Sequence, residues 1–173
     1  MTSTQRKFIH DLMAELLGLG KNKVVWANQN MPKPGKPFAT LRLYSSKGQA
    51  HEEIRKTDKS DVYRVLTPTD AYLEVQLYDD ATSPYEQVEA MVQSLWRPTI
   101  ADRCAAMRIA FFDAGDILQM DAPLDNTRYE HRAVVDLNVR YHRMVTDVID
   151  PITEVVIDGR TADRSLPIDV KSE

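Results

Sequence analysis

Beginning at residue 131 the chain alternates without a break: Val135, Leu137, Val139 and Tyr141 fall on one side, Asp136, Asn138, Arg140 and His142 on the other. Side chains two apart share one face of a strand, so this segment is a long core strand. Shorter alternations accompany it. In 38–45, Leu41 and Leu43 oppose Thr40 and Arg42, and in 72–78, Leu73, Val75 and Leu77 oppose Glu74 and Gln76. Residues 24–27, 62–66 and 109–112 read as further strands, because they are short, β-branched and aromatic. The connections between successive strands are too short for a helical crossover, which predicts a mostly antiparallel sheet.

Helices supply the cover. Between 4 and 17, Phe8, Ile9, Leu12, Met13, Leu16 and Leu17 recur at three and four residues, and Gly18 and Gly20 follow where a helix end favours a left-handed residue. Ser83 reads as an N-cap, with Pro84 at the first helical position and Glu86 as the reciprocal acid of a capping box. Val88, Met91, Val92, Leu95 and Trp96 then form a buried stripe, and Pro98 stops the helix near Arg97. Thr99 is expected to cap a second, short helix ending near 107.

Between the first two strands, Pro32, Pro34 and Pro37 remove backbone donors and fix an extended path, so 28–37 is a stiff loop or a sheet-edge crossing and not a helix. Residues 48–60 are dense in charge, with Ile54 the only large apolar residue, and read as an exposed strand or hairpin arm. Residues 113–126 read as an acidic loop or loose hairpin, and 149–157 as a short strand or helix. The expected fold is α+β: one mostly antiparallel β-sheet flanked by helices, a single domain over 1–160, with 161–173 a polar C-terminal tail.

Composition narrows the function. Twenty-two Lys and Arg against 26 Asp and Glu leave a net charge of -4, and no basic block is present to grip phosphates by counterion release. The single cysteine, Cys104, sits beside Ala105 and Met107 on an expected helix. It reads as a small buried hydrophobe, so neither a disulfide framework nor an oxidising compartment is required and an intracellular product is expected. No apolar run is long enough to span a membrane, and the first ten residues lack the apolar stretch of a secretory signal.

Catalytic motifs fail on inspection. His51-Glu52-Glu53 begins like a zinc-protease helix, but Arg55 stands where the second histidine belongs. Lys33-Pro34-Gly35-Lys36 lacks the first glycine and the hydroxyl residue of a phosphate loop. No Gly-x-Ser-x-Gly elbow occurs. Asp61, Glu74 and one of Asp79 or Asp80 offer carboxylates for a Mg²⁺-dependent nuclease, yet Gln76 replaces the lysine such a site usually carries two residues after the strand acid. Asp113, Asp116, Asp121 and Asp125 do not match the ligand spacing of a calcium loop. His131 and His142 lie at opposite ends of one strand, and Trp26 and Trp96 read as core or interface anchors. No catalytic residue, metal or cofactor is expected.

The stretch Trp26-Ala27-Asn28-Gln29-Asn30-Met31-Pro32-Lys33-Pro34, leading into the alternating strand at 38–43, resembles the signature of the neck or tail terminator proteins of tailed bacteriophages. Tyr129-Glu130-His131-Arg132-Ala133 is similar to a second family motif, departing from it at Tyr129, where Trp is common, and at His131, where an acid is common. The similarity spans roughly 8–157. It implies a structural virion protein, not an enzyme: a ring, usually of six copies, that caps the tail tube protein and joins it to the head-side connector or adaptor, with the tail sheath a further neighbour. The motif positions carried over are Trp26, Asn28, Gln29, Asn30, Pro32, Pro34, Glu130 and Arg132. DNA would slide through such a ring without specific binding. Asp113, Asp116, Asp121 and Asp125 are then candidates for facing the channel, where like charge keeps the polymer off the wall. A different head-to-tail or sheath-joining adaptor remains an alternative, and the nuclease a remoter one.

Overall fold

The computed structural model describes residues 1–30, 32–48, 52–59, 61–123 and 129–149, and the backbone of 154–161 and 164–171. Helix α1 (Ser3–Leu16) starts at a capping box: the Thr2 hydroxyl accepts the Gln5 N–H, and the Gln5 side chain accepts the Thr2 N–H. It ends at Gly18, whose φ of 66° is open to glycine at little steric cost. A 3₁₀ turn, Lys21–Lys23, leads into β1 (Val24–Trp26).

Strand β1 runs parallel to β2 (Phe38–Gly48), with Trp26 opposite Leu41, because the proline loop carries the chain back to its starting end. The rest follows the antiparallel expectation. Strand β4 (Val62–Tyr78) pairs with β2 from Phe38 opposite Tyr78 to Gly48 opposite Thr69, with an irregularity between Tyr44 and Ser46. The sequence suggested two strands here, 62–66 and 72–78. The structure has one of 17 residues, and Pro68 falls just past the last β2 pair. Charged β3 (Glu53–Lys56) pairs with β4 and is exposed throughout, as expected of the arm.

Helix α2 (Pro84–Leu95) is capped by the Ser83 hydroxyl, which accepts the Glu86 N–H. Pro98 does end it, but also opens α3 (Pro98–Ala106) as its first residue, so the N-cap is Arg97 and not Thr99. Proline's fixed φ suits a first helical turn, where its missing N–H would have no partner anyway. Strand β5 (Ile109–Ala114) pairs antiparallel with β9 (Arg132–Val148). The acidic stretch between them is partly paired: β6 (Leu118–Gln119) lies on β9, and β7 (Ala122–Pro123) on β8 (Tyr129–Glu130).

The sheet order is β1-β2-β4-β9-β5. Its inner face, with Leu41, Leu73, Val75, Leu77, Val135, Leu137, Val139 and Tyr141, packs in one buried cluster with Ile9, Leu12 and Met13 of α1, Val88, Met91 and Leu95 of α2, and Ile100 and Cys104 of α3. Cys104 is the small buried hydrophobe expected, and burial pushes its thiol pKa up. The opposite face of the sheet, with Tyr72, Gln76, Tyr78, Arg132, Asp136 and Arg140, has no helix on it among the described residues.

Packing groups the chain into two units. One holds 1–52 and 66–143; the other holds 53–65 and 144–173. In the second, the Ile149 N–H donates to the Asp61 carbonyl, and β10 (Glu154–Thr161) pairs antiparallel with β11 (Arg164–Lys171). Most of the segment read as a polar tail, 161–173, is therefore the return strand of a hairpin. Its alternation of Leu166, Ile168 and Val170 is short and broken by Pro167, which conceals it in the sequence.

Candidate functional site

The proline loop lies on the open face of the sheet. It leaves β1 at Trp26, a buried ring with the Arg6 guanidinium 4.3 Å above its centroid. Asn28 follows at a φ of 62°, a left-handed conformation that asparagine tolerates better than most residues and that turns the chain. Lys23 Nζ donates to the Gly35 carbonyl at 2.5 Å, and the Lys36–Pro37 peptide is cis.

Two lysines between the prolines fasten the loop. Glu130 Oε1 accepts from Lys33 Nζ at 2.7 Å and lies 3.2 Å from Lys36 Nζ, which also donates to Asp80 Oδ1 at 2.8 Å. The Glu130 side chain is 13% exposed and that of Lys36 19%. The hydrogen bond from Lys33 holds the Glu130 carboxyl below its ordinary pKa; burial opposes this, and Lys36 adds to it. Beneath Lys33, Phe38 and Tyr78 stack at 4.5 Å, with Nζ 5.2 Å and 5.1 Å from the two ring centroids. The Arg132 guanidinium lies 5.8 Å from the Tyr78 ring centroid.

The two motifs, a hundred residues apart in sequence, therefore meet. Trp26, Asn28, Gln29, Pro32 and Pro34 line a cleft of about 180 Å³ with Phe38 and Lys33, and Glu130 holds that lysine, while Arg132 lies outside the cleft, near the Tyr78 ring. Asn30 is exposed and outside the cleft. A family model described as phage neck terminator protein matches residues 4–164. The chain belongs to the phage neck terminator family. Comparison with curated proteins finds no match. The family is one of structural proteins of the phage neck.

Of the four candidate channel acids of this neck terminator, Asp113 and Asp121 have local partners. Asp113 is exposed and accepts from the Asn138 amide at 2.9 Å; Asp121 lies 3.2 Å from His131 Nδ1; Asp116 is exposed; Asp125 lies outside the described residues. Of the nuclease candidates, Asp79 is buried and accepts from the Ala81 N–H, the Thr82 hydroxyl and the Gln87 amide. Burial disfavours its charge, but these bonds outweigh that and keep its carboxyl below the usual pKa. It pins the turn into α2. Asp80 is taken by Lys36 and Glu74 by the Gln76 amide. Among the described residues no three His, Cys, Asp or Glu side chains converge as a metal site, and His51 lies outside those residues. No helix of the described residues is long and apolar enough to cross a membrane.

Sequence reading missed the importance of Lys33 and Lys36, which it considered only as a failed phosphate loop. Their signal was present: two cations set between prolines cannot fold back on their own segment and need acids from elsewhere. Trp96 also differs from its expected place on the buried stripe, being 48% exposed.

Proposed function

We propose that this neck terminator assembles as a closed ring, most simply of six copies, that caps the finished tail tube and presents its other side to the head-side connector or adaptor, with the tail sheath a further neighbour. It acts in the virion after assembly in the host cytoplasm, and no step of bond-making chemistry is assigned to it. The family match over residues 4–164 carries this reading. The clasped proline loop supports it, because a surface fixed before binding gives up little conformational entropy on contact.

A ring needs heterologous contacts, one face of a subunit against a different face of the next. Asp113, Asp116, Asp121 and Asp125 are assigned to the channel side, where like charge prevents the passing duplex from sticking. Light scattering across a concentration series, with electron microscopy of the purified protein and of virions, tests the reading. A ring at the neck of the tail is expected. A strict monomer in solution with no ring in the virion refutes it, and a lumen dominated by Lys and Arg refutes the channel assignment alone.

A further inference from the structure

The sheet ends in two free edges. Strand β1 covers β2 only from Ala39 to Leu41, so among the described residues β2 from Arg42 to Gly48 pairs on one side alone, with β4. Strand β5 likewise pairs on one side, with β9. Each edge turns alternate N–H and C=O groups outward along about 20 Å of backbone, an open template for another strand.

The two edges agree row by row. The Asp79 N–H donates to the His131 carbonyl and Arg140 pairs with Asp70, which sets β4 and β9 in one antiparallel register, Tyr72 beside Asn138 and Ala71 beside Val139. Tyr44, opposite Tyr72, and Asp113, opposite Asn138, therefore end the same row, on the open face. Ser46, opposite Ala71, and Phe111, opposite Val139, end the next row, on the inner face. Between these rows each edge carries one extra residue, Ser45 at a φ of 48° on β2 and Phe112 on β5. A bulge normally spoils an edge for pairing, because one strand gains a residue on the other. Two bulges in the same step cancel, so 43–48 meets 109–114 with open-face residues opposite open-face residues throughout. The two strands also run in opposite directions, as antiparallel pairing requires.

Charge agrees as well. No Asp or Glu occurs from 16 to 51, and no Lys or Arg from 109 to 127. Arg42 is exposed, with its guanidinium 5.7 Å from the Tyr44 ring centroid and no ion pair among the described residues. Matched in this way it falls beside Gly115, between Asp113 and Asp116. Phe112, 49% exposed in the single copy, gains cover at the same joint.

We infer that a second copy of this chain lays the β2 edge, residues 43–48, antiparallel on β5, residues 109–114, of the first, so that the sheet continues from one subunit into the next. The edges lie on opposite sides of one sheet, which makes the contact head-to-tail and repeatable around a ring. Below Arg42, β1 fills the β2 edge, and the pairing stops there. The inference rests on the ring reading above and names the joint that makes it.

The test uses the full chain, purified and in virions. In wild type, hydrogen exchange at the amides of 43–48 and 109–114 is expected to slow by more than about tenfold on assembly. Lys47, opposite Asp70, and Ala110, opposite Arg140, end one row, with β4 and β9 between them in a single copy. Lys47→Cys with Ala110→Cys in one chain is expected to give a covalent ladder up to the ring on oxidation, and Lys47→Cys with Phe111→Cys, on the other face, none. Arg42→Asp is expected to raise the concentration of half-assembly about tenfold, and Asp113→Arg in the same chain to restore it. Rings in which both edges keep exchanging and the matched pair gives no ladder overturn this joint and leave the ring. A wild type that forms no ring, in solution or in virions, overturns both.

Discussion

Glu130→Gln removes the charge that joins the second motif to the proline loop while keeping the shape of the side chain. Glu130 Oε1 serves both Lys33 and Lys36. A charge-assisted hydrogen bond contributes about 1.5–3 kcal/mol when covered, whereas an exposed ion pair contributes about 0–1. Glu130 and Lys36 are largely covered, but Lys33 opens to water and Lys36 keeps Asp80, so no cation is left stranded. The expected loss is therefore about 1–2 kcal/mol, or roughly 2–8 °C in melting temperature for a chain of this size. Glu53→Gln, which removes an exposed partner of Arg55, is the control and should cost clearly less than Glu130→Gln.

The dependence on pH discriminates further. The folded carboxyl of Glu130 sits below its unfolded value of about 4.3, so its contribution is complete above that pH and disappears as pH falls through the lower folded pKa. Urea melts at several pH values are the assay. Wild type and Glu130→Gln should differ by a constant amount from pH 7 to 5 and converge in stronger acid. Equal stability at pH 7, or a gap that persists undiminished at the acid end, would refute the argument.

Leu137→Ala, at a position with no exposure, should cost about 2–5 kcal/mol, and Asn138→Ala on the opposite face much less; equal losses in denaturant melts would contradict the inner-face assignment. The Tyr44 hydroxyl donates to Asp136 Oδ2 at 2.7 Å, and that bond chiefly pushes the phenol up to about 12. Stability from it should be complete below the unfolded value of about 10 and decline as pH rises from there to about 12, and Tyr44→Phe should erase that decline in alkaline melts. Gly18→Ala has open space for its Cβ but forces alanine to the positive φ that ends α1, so a loss of about 1 kcal/mol is expected; a gain in thermal stability would count against the strain argument.

Much of this molecule was legible because its signals are local. Alternation about Leu137 and the stripe of Ile9, Leu12 and Met13 each depend only on which side chains share a face, and Ser83 and Gly18 mark helix ends by their own backbone chemistry. The motif around Trp26 and the one around Glu130 were likewise visible as separate strings. What joins distant segments was not. The parallel pairing of β1 with β2 depends on where the proline loop returns the chain, and the dual role of Pro98 on whether a new helix packs immediately after the old one. Lys33 and Lys36 acquire their meaning only when β8 places Glu130, about a hundred residues away, beside them. Sequence determines which faces must be buried and which segments are stiff, since those follow from neighbouring residues. The fold alone decides which cation meets which acid and which aromatic is left in water, because those outcomes depend on strand order and on which surfaces the core has already covered.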